Sequence, residues 1–303
     1  YNCTKNSTRG SCMKSKLLPN DVYKKLTTMR LASKSKIRGH HKGSHRAQRI
    51  GSSMDFSDYR AYHLGDDVRQ IDWNVYARSE KYFIKRFLDE QELRVQIVVD
   101  GTKSMNSQPE KWLFAKQIAA ALGYIVLQQD DRLHFSYITD SDCPPFHQKG
   151  STAKQQFLHT LQHFSEPSLQ SSFTEKASKY LIKGQSVLII ITDALEPIEK
   201  LELFIRRLQN YANDIRFIQI VEQNIHHPTF SGDTELFDIE TEKTVNVSIT
   251  SDTLQKYFES KNQHEKQLDL LCKKYSVAKM QLLVEDGFQQ SFFQRLKKAK
   301  WIE

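Results

Sequence analysis

The sequence predicts an α/β fold, a doubly wound and mostly parallel sheet with helices on both faces, on three observations. Apolar runs of strand length alternate with longer segments of helical period from Leu93 to the C-terminal end. The runs Val95 to Val99 and Val187 to Ile191 are apolar at every position except Gln96, the pattern of strands covered on both faces. Both runs stop at acids flanked by hydroxyls, Asp100 before Thr102 and Ser104, and Asp193 after Thr192. Polar chemistry is thereby placed at the carboxyl ends of strands, where open α/β sheets bind ligands.

Taken in order, Pro19-Asn20-Asp21 opens a helix expected to reach about Ala32, with Val22, Leu26 and Met29 on one face. Residues 33–53, rich in Lys, Ser, Gly and His, read as an extended or mobile segment. Residues 55–78 mix aromatics with charges, and 81–89 reads as a strand. Strands are then expected at 94–99, 132–139, 186–192, 215–221 and 278–284. Helices are expected at 111–128, 153–164, 174–182, 198–210, 252–275 and 288–298, that at 198 introduced by Pro197. The helix at 111–128 is apolar on nearly every side, which marks it as core packed on the sheet. Two short runs, 235–240 and 244–249, break the rhythm as a small β-hairpin insertion around Thr241-Glu242-Lys243. The domain reading is a leader over 1–13, disordered or an over-extended reading frame; an N-terminal basic helical and extended arm with the aromatic-charged segment over 14–90; and the α/β domain over 91–303.

The longest apolar stretch, Ile118 to Leu127, is far shorter than the ~20 residues that span a bilayer, and no secretory h-region is visible, so a cytoplasmic location is expected. Cys3, Cys12, Cys143 and Cys272 form no close pairs, which argues for reduced thiols and against a zinc site. The net charge of +8 is unevenly spread. Thirteen Lys or Arg against the single acid Asp21 give residues 1–50 a charge of +12, so the remainder carries −4. The arm is thus a candidate for phosphate contacts with nucleic acid, although it lacks interleaved aromatics beyond Tyr23, and docking on an acidic protein surface competes with that reading. His40, His41 and His45 read as part of a mobile cationic loop, not as metal ligands.

Asp100, Thr102, Ser104 and Asp193 offer oxygen ligands only, which suits Mg2+, with Mn2+ or Ca2+ as substitutes. The same residues in a turn or N-cap need no metal. An enzymatic alternative is a magnesium-dependent phosphohydrolase with Asp100 as nucleophile, but that chemistry needs an acid two residues on, where Thr102 stands. No nucleotide-binding glycine motif occurs. Asp66, Asp67 and Asp72 lie among Arg60, Arg69 and Arg78. They read as an ion-pair network buried with Trp73 and Tyr62, or alternatively as a partner-docking surface.

With Asp100-x-Thr102-x-Ser104, Ser171-Ser172 before a helix, and Ile191-Thr192-Asp193 after a buried strand, the chain resembles a von Willebrand factor A domain and its metal-ion-dependent adhesion site. The block Tyr59-Arg60-x-Tyr62-x-x-Gly65-Asp66-Asp67-x-Arg69-x-Ile71-Asp72-Trp73, followed by Ala77-Arg78, is similar to the signature of the bacterial family called domain of unknown function 58. The resemblance covers residue 50 to the C-terminus. It implies a von Willebrand factor A-like fold and metal ligands at Asp100, Thr102, Ser104, Ser172 and Asp193, with Thr102 in place of the usual Ser and Phe173 where a small polar residue is common. It further implies a non-enzymatic adaptor whose open metal position takes an acidic side chain of a protein partner, a MoxR-type AAA+ ATPase.

Overall fold

In a computed structural model of the chain, the described residues are 17–33, 55–88, 92–140, 143–222, 232–237, 244–249 and 251–303. The leader, the histidines at 40, 41 and 45, and the part of the basic arm between 34 and 54 lie outside them. Two compact units are formed, one by Tyr1–Ser35 with Leu93–Glu303 and the other by Lys36–Glu92.

Helix α1 (Asn20–Leu26) opens the described chain. The smaller unit follows, with strand β1 (Asp55–Ala61), helix α2 (Trp73–Ser79) and strand β2 (Phe83–Leu88), the two strands pairing antiparallel. The larger unit continues with β3 (Arg94–Asp100), α3 (Pro109–Gln128), β4 (Arg132–Ile138), β5 (Phe146–Lys149), α4 (Lys154–Gln162) and α5 (Phe173–Ala177). After these come β6 (Gln185–Thr192), α6 (Ile198–Leu208), β7 (Ala212–Val221), the antiparallel hairpin β8 (Gly232–Phe237) and β9 (Thr244–Ile249), and the long helix α7 (Ser251–Lys274). Strand β10 (Ala278–Leu283) and a terminal helix complete it. That helix begins as the α-turn Gly287–Gln289 and widens to π geometry over Gln290–Leu296, where an α-helix is expected.

The main sheet has six strands in the order β10-β7-β6-β3-β4-β5, all parallel except the edge strand β5. Chain progression reverses between β3 and β6. From β3 the chain steps outward to β4 and β5, then returns to lay β6 on the other side of β3, so the ends of these two neighbours form a topological switch point. Their side chains alternate between two cores. Val95, Ile97, Val99, Val187, Ile189 and Ile191 face the layer of α1, α3 and the terminal helix, while Val98, Leu188 and Ile190 face that of α5, α6 and α7.

Several elements differ from expectation, two of them for visible reasons; β5 is an unexpected strand, and β8 lies at Gly232–Phe237 instead of 235–240. Helix α1 stops at Leu26, not Ala32, because Thr27 and Thr28 turn their hydroxyls back onto the Lys24 and Lys25 carbonyls at 2.6 and 3.0 Å. The following residues extend and pair with the C-terminus, Leu31 bridging Ile302. Buried Arg216 on β7 then binds the carbonyls of Ala32 and Trp301 and pairs with Asp214 at 2.7 Å. The helix expected over 174–182 is only α5, because buried Gln96 captures the following backbone, donating to the Tyr180 carbonyl at 2.7 Å and accepting from Ile182 N–H at 3.0 Å. The segment 55–61, read only as mixed, is strand β1.

Helix α3 packs closely on α4 at Gly123. A Cβ at Gly123 would lie 2.3 and 2.5 Å from ring atoms of Phe157 on α4 and 3.0 Å from Leu133. Overpacking of this kind costs about 1–3 kcal/mol, against a helix-propensity gain near 1 kcal/mol. Gly123→Ala is therefore expected to lower the denaturant midpoint at unchanged slope, and a raised midpoint would show that the α3–α4 contact yields.

Candidate functional site

The switch point is built by two loops that hold one another. After β3 the chain turns on Asp100, whose Oδ1 accepts from Thr102 N–H at 2.8 Å. Gly101 is required there because a Cβ would stand 2.4 Å from the Ile138 carbonyl oxygen and 2.6 Å from the Tyr137 ring. A 3-10 turn over Lys103–Asn106 follows, and the hydroxyls of Thr102 and Ser104 lie 2.9 Å apart. From β6, Thr192 donates its hydroxyl to Asp100 Oδ2 at 2.5 Å and accepts from Ala194 N–H at 3.0 Å, so one side chain couples both loops. Ala194 takes the left-handed conformation at φ 59°, and its carbonyl oxygen lies 2.9 Å from His264 Nε2 of α7. Gln219 donates to the Asp193 carbonyl at 3.2 Å and to Glu265 at 2.7 Å.

Charge is the unusual feature of this edge. Asp100 and Asp193 are both buried. Burial first, and then the nearby Asp193 charge, push the Asp100 carboxyl up to about 7, against hydrogen bonds from Thr192 and Thr102. Lys111, in the first turn of α3, is buried with them. Its Nζ donates to Asp193 Oδ2 at 2.9 Å and to the Ser104 carbonyl at 2.8 Å, with side-chain exposure of only 2%. A third buried acid, Glu222, follows β7 and sits 3.2 and 3.1 Å from the Ser107 hydroxyl. Burial raises its carboxyl while Lys111 pulls it down.

Four of the five predicted ligands, Asp100, Thr102, Ser104 and Asp193, thus belong to one pair of loops. Ser172 has another engagement. Its hydroxyl pairs with that of Thr174 at 3.1 Å, and Thr174 in turn donates to Glu196 at 2.5 Å. Sequence reasoning placed the Thr192 hydroxyl at this edge but missed Lys111, Glu222, Thr174 and Glu196 as members of this region. A lysine in the first turn of an otherwise apolar helix was the available signal for the first of them. Among the described residues no three His, Cys, Asp or Glu side chains cluster to hold a metal ion. Cation binding at this edge therefore needs the hydroxyls beside the two carboxylates, a donor set that fits a hard cation.

The remaining predicted residues belong to the smaller unit and act largely as local caps. Asp72 accepts from Asn74 and Val75 N–H at 2.9 and 3.4 Å, capping α2, and from the Tyr59 hydroxyl at 3.0 Å. Asp67 accepts from Arg69 N–H at 3.0 Å. Asp66 pairs with Arg60 at 2.8 Å and accepts from His63 N–H, and these bonds, the Arg60 one foremost, hold its carboxyl below the usual range. Arg78 lies in the last turn of α2. Trp73 departs from the expected burial. It is 58% exposed, edge-on to Tyr76, which stacks on Tyr82 at 4.6 Å.

An open, mostly parallel α/β sheet with an acid-and-hydroxyl edge at its switch point is the class of protein that fold and site define. The chain belongs to the family described as Protein of unknown function DUF58, whose model matches residues 58–268. Uncharacterized proteins of Mycobacterium bovis and Mycobacterium tuberculosis are 32% identical over 103 residues, 33% of this chain. The match spans 32% of the length of those relatives. Among solved structures, the conserved hypothetical protein BatB from Bacteroides thetaiotaomicron aligns at 12% identity and TM-score 0.37 over 68% of this chain and 98% of that one. An aerotolerance-related membrane protein from Bacteroides fragilis aligns at 11% identity and TM-score 0.36 over 68% and 99%. Among the described residues no helix is long and apolar enough to cross a membrane.

Two outcomes are expected. Folding raises the Asp100 carboxyl from its ordinary 3.8 to about 7, so in metal-free protein its contribution to stability is complete below 3.8 and is lost as pH rises through about 7. Asp100→Asn, neutral throughout, should gain on wild type between about pH 4 and about pH 8 in chelator, by on the order of 2–4 kcal/mol in denaturant melts. A constant difference across that range would contradict the burial of a titrating acid. Asp72→Ala should cost about 1 kcal/mol of local stability through loss of the cap, read as faster amide exchange at Asn74 and Val75.

Proposed function

We propose that the larger unit is a von Willebrand factor A-like module that binds a divalent cation, Mg2+ foremost, at the β3–β6 edge. It presents the ion's open position to an acidic side chain of a protein partner, a MoxR-type AAA+ ATPase. The observation that carries this reading is the pair of buried carboxylates, Asp100 and Asp193, beside the paired hydroxyls of Thr102 and Ser104. Two acids buried together with hydroxyls call for positive charge, and neutral hydroxyls leave a bound ion enough charge to attract a further carboxylate. Thr102, Ser104 and Asp193 would hold the ion, Asp100 would orient the first loop, and Ser172 would join once released from Thr174.

The edge is better suited to binding than to phosphoryl transfer. Both oxygens of Asp100 are engaged, one by Thr102 N–H and one by the Thr192 hydroxyl, so neither is presented as a nucleophile. The aromatic and charged segment of the smaller unit, with Trp73, Arg60, Arg69 and Arg78 beside Asp66, Asp67 and Asp72, would supply further partner contacts in this reading.

Calorimetric titration with Mg2+ and Mn2+ tests it. Wild type should give a saturable heat that Asp100→Ala loses, and capture of a purified MoxR-type ATPase should require Mg2+ and fail in chelator. Equal heats from the two proteins would remove the ion from the mechanism, and chelator-resistant capture would remove it from the partner contact.

A further inference from the structure

Lys111 is costly where it stands. It lies in the first turn of α3, where the helix dipole disfavours a cation, and its ammonium is withdrawn from water. Acids and a backbone carbonyl around the β3–β6 edge offset that cost. The ammonium contacts Asp193 Oδ2 at 2.9 Å and the Ser104 carbonyl at 2.8 Å, and Glu222 lies within its field. Asp193 is thus the acid that anchors the lysine and also the acid the second loop would give to a metal. Its other oxygen accepts from Leu195 N–H at 3.4 Å, so Oδ2 already has a cation bound to it.

We infer that the Lys111 ammonium is a built-in competitor for a divalent cation at this edge: it neutralises Asp193 when no ion is present, and ion uptake expels it from that carboxylate. The inference rests on the reading of the edge as a cation site and adds its regulation. An ammonium and a divalent ion cannot both lie within bonding distance of one buried oxygen without strong like-charge repulsion. Ion affinity is therefore set by the difference between the two cations, so the site is occupied only where the free ion is abundant or a partner's carboxylate adds to its binding. The lysine also keeps the edge folded while it waits, since an unpaired buried carboxylate is strongly destabilising.

The test compares Mn2+ affinity, by calorimetry and by electron paramagnetic resonance of free Mn2+, in wild type, Lys111→Met and Lys111→Gln. Far-UV circular dichroism and melts check that each protein is folded. Both variants should bind Mn2+ at least about tenfold more tightly than wild type, because the ion no longer displaces a resident charge. Equal or weaker binding in the folded variants would mean that the ammonium supports the ligands instead of competing, and would overturn the inference while leaving the cation site standing. Absence of binding in all three proteins would instead remove the cation site itself. If neither variant folds, wild type labelled at lysine side chains decides the matter by nuclear magnetic resonance. Saturating Mg2+ should shift the Lys111 Cε resonance strongly, and an unchanged resonance at saturation would overturn the inference.

Discussion

Two carboxylates buried at the ends of adjacent strands are the constraint around which the larger unit is arranged. Asp100 and Asp193 project from β3 and β6, which pair in register through Val99 and Ile191, so the sheet itself forces the acids close together. Each half of the resulting tension is met by a different device. Asp100 is satisfied by dipoles, the Thr102 amide and the Thr192 hydroxyl, while Asp193 is satisfied by a full charge on Lys111. Burial first, and then the neighbouring Asp193 charge, moves the Asp100 carboxyl upward, and its hydrogen bonds offset only part of that shift. Gly101, the left-handed turn at Ala194 and the braces from His264 and Gln219 are consequences of seating those loops without slack.

The parts of this arrangement legible in the sequence are the local ones. Apolar runs ending in acids announce β3 and β6, and the spacing of Asp100, Thr102 and Ser104 places three oxygens in one turn, because both facts are written within a few consecutive residues. Lys111, Glu222 and Glu196 were not legible as members of the edge. They enter it through pairings between distant positions: Lys111 meets Asp193 82 positions away, Ser107 meets Glu222 115 positions away, and Glu196, close to Asp193 in the chain, meets Thr174 22 positions away. Periodicity carries no information on such pairings. The same limit explains α5, which is cut short by a side chain 84 positions earlier, Gln96, whose amide imitates a neighbouring strand for the backbone at Tyr180 and Ile182.

In the smaller unit the expected ion pair is seen at Arg60–Asp66, and backbone capping is added to it. Alternating acids and arginines suggest a network of ion pairs, yet Asp67 and Asp72 spend oxygens on nearby backbone N–H groups, which they reach without ordering a long partner side chain. Charges next to turns are more economically used as caps than as bridges. Trp73 and Tyr82 are exposed in this unit. Of the two aromatics read as buried with the charges, Trp73 is surface while Tyr62 is partly buried.

The placement of Lys111 on α3 also limits how any change at the edge can spread. Trp112 stacks on Tyr137 with ring centroids 5.0 Å apart, Gly123 is pressed against Phe157, and Gln117 and Gln129 hold the carbonyls of Leu17 and Met29. A helix fastened at its start, middle and end does not slide along the sheet for the sake of one side chain. In the proposed reading, exchange of one cation for another at Asp193 would therefore be a rotamer change of a lysine whose backbone stays in place. What would differ afterwards is the charge offered at the mouth of the edge, so a partner would distinguish the two states by electrostatics and not by a rearranged surface.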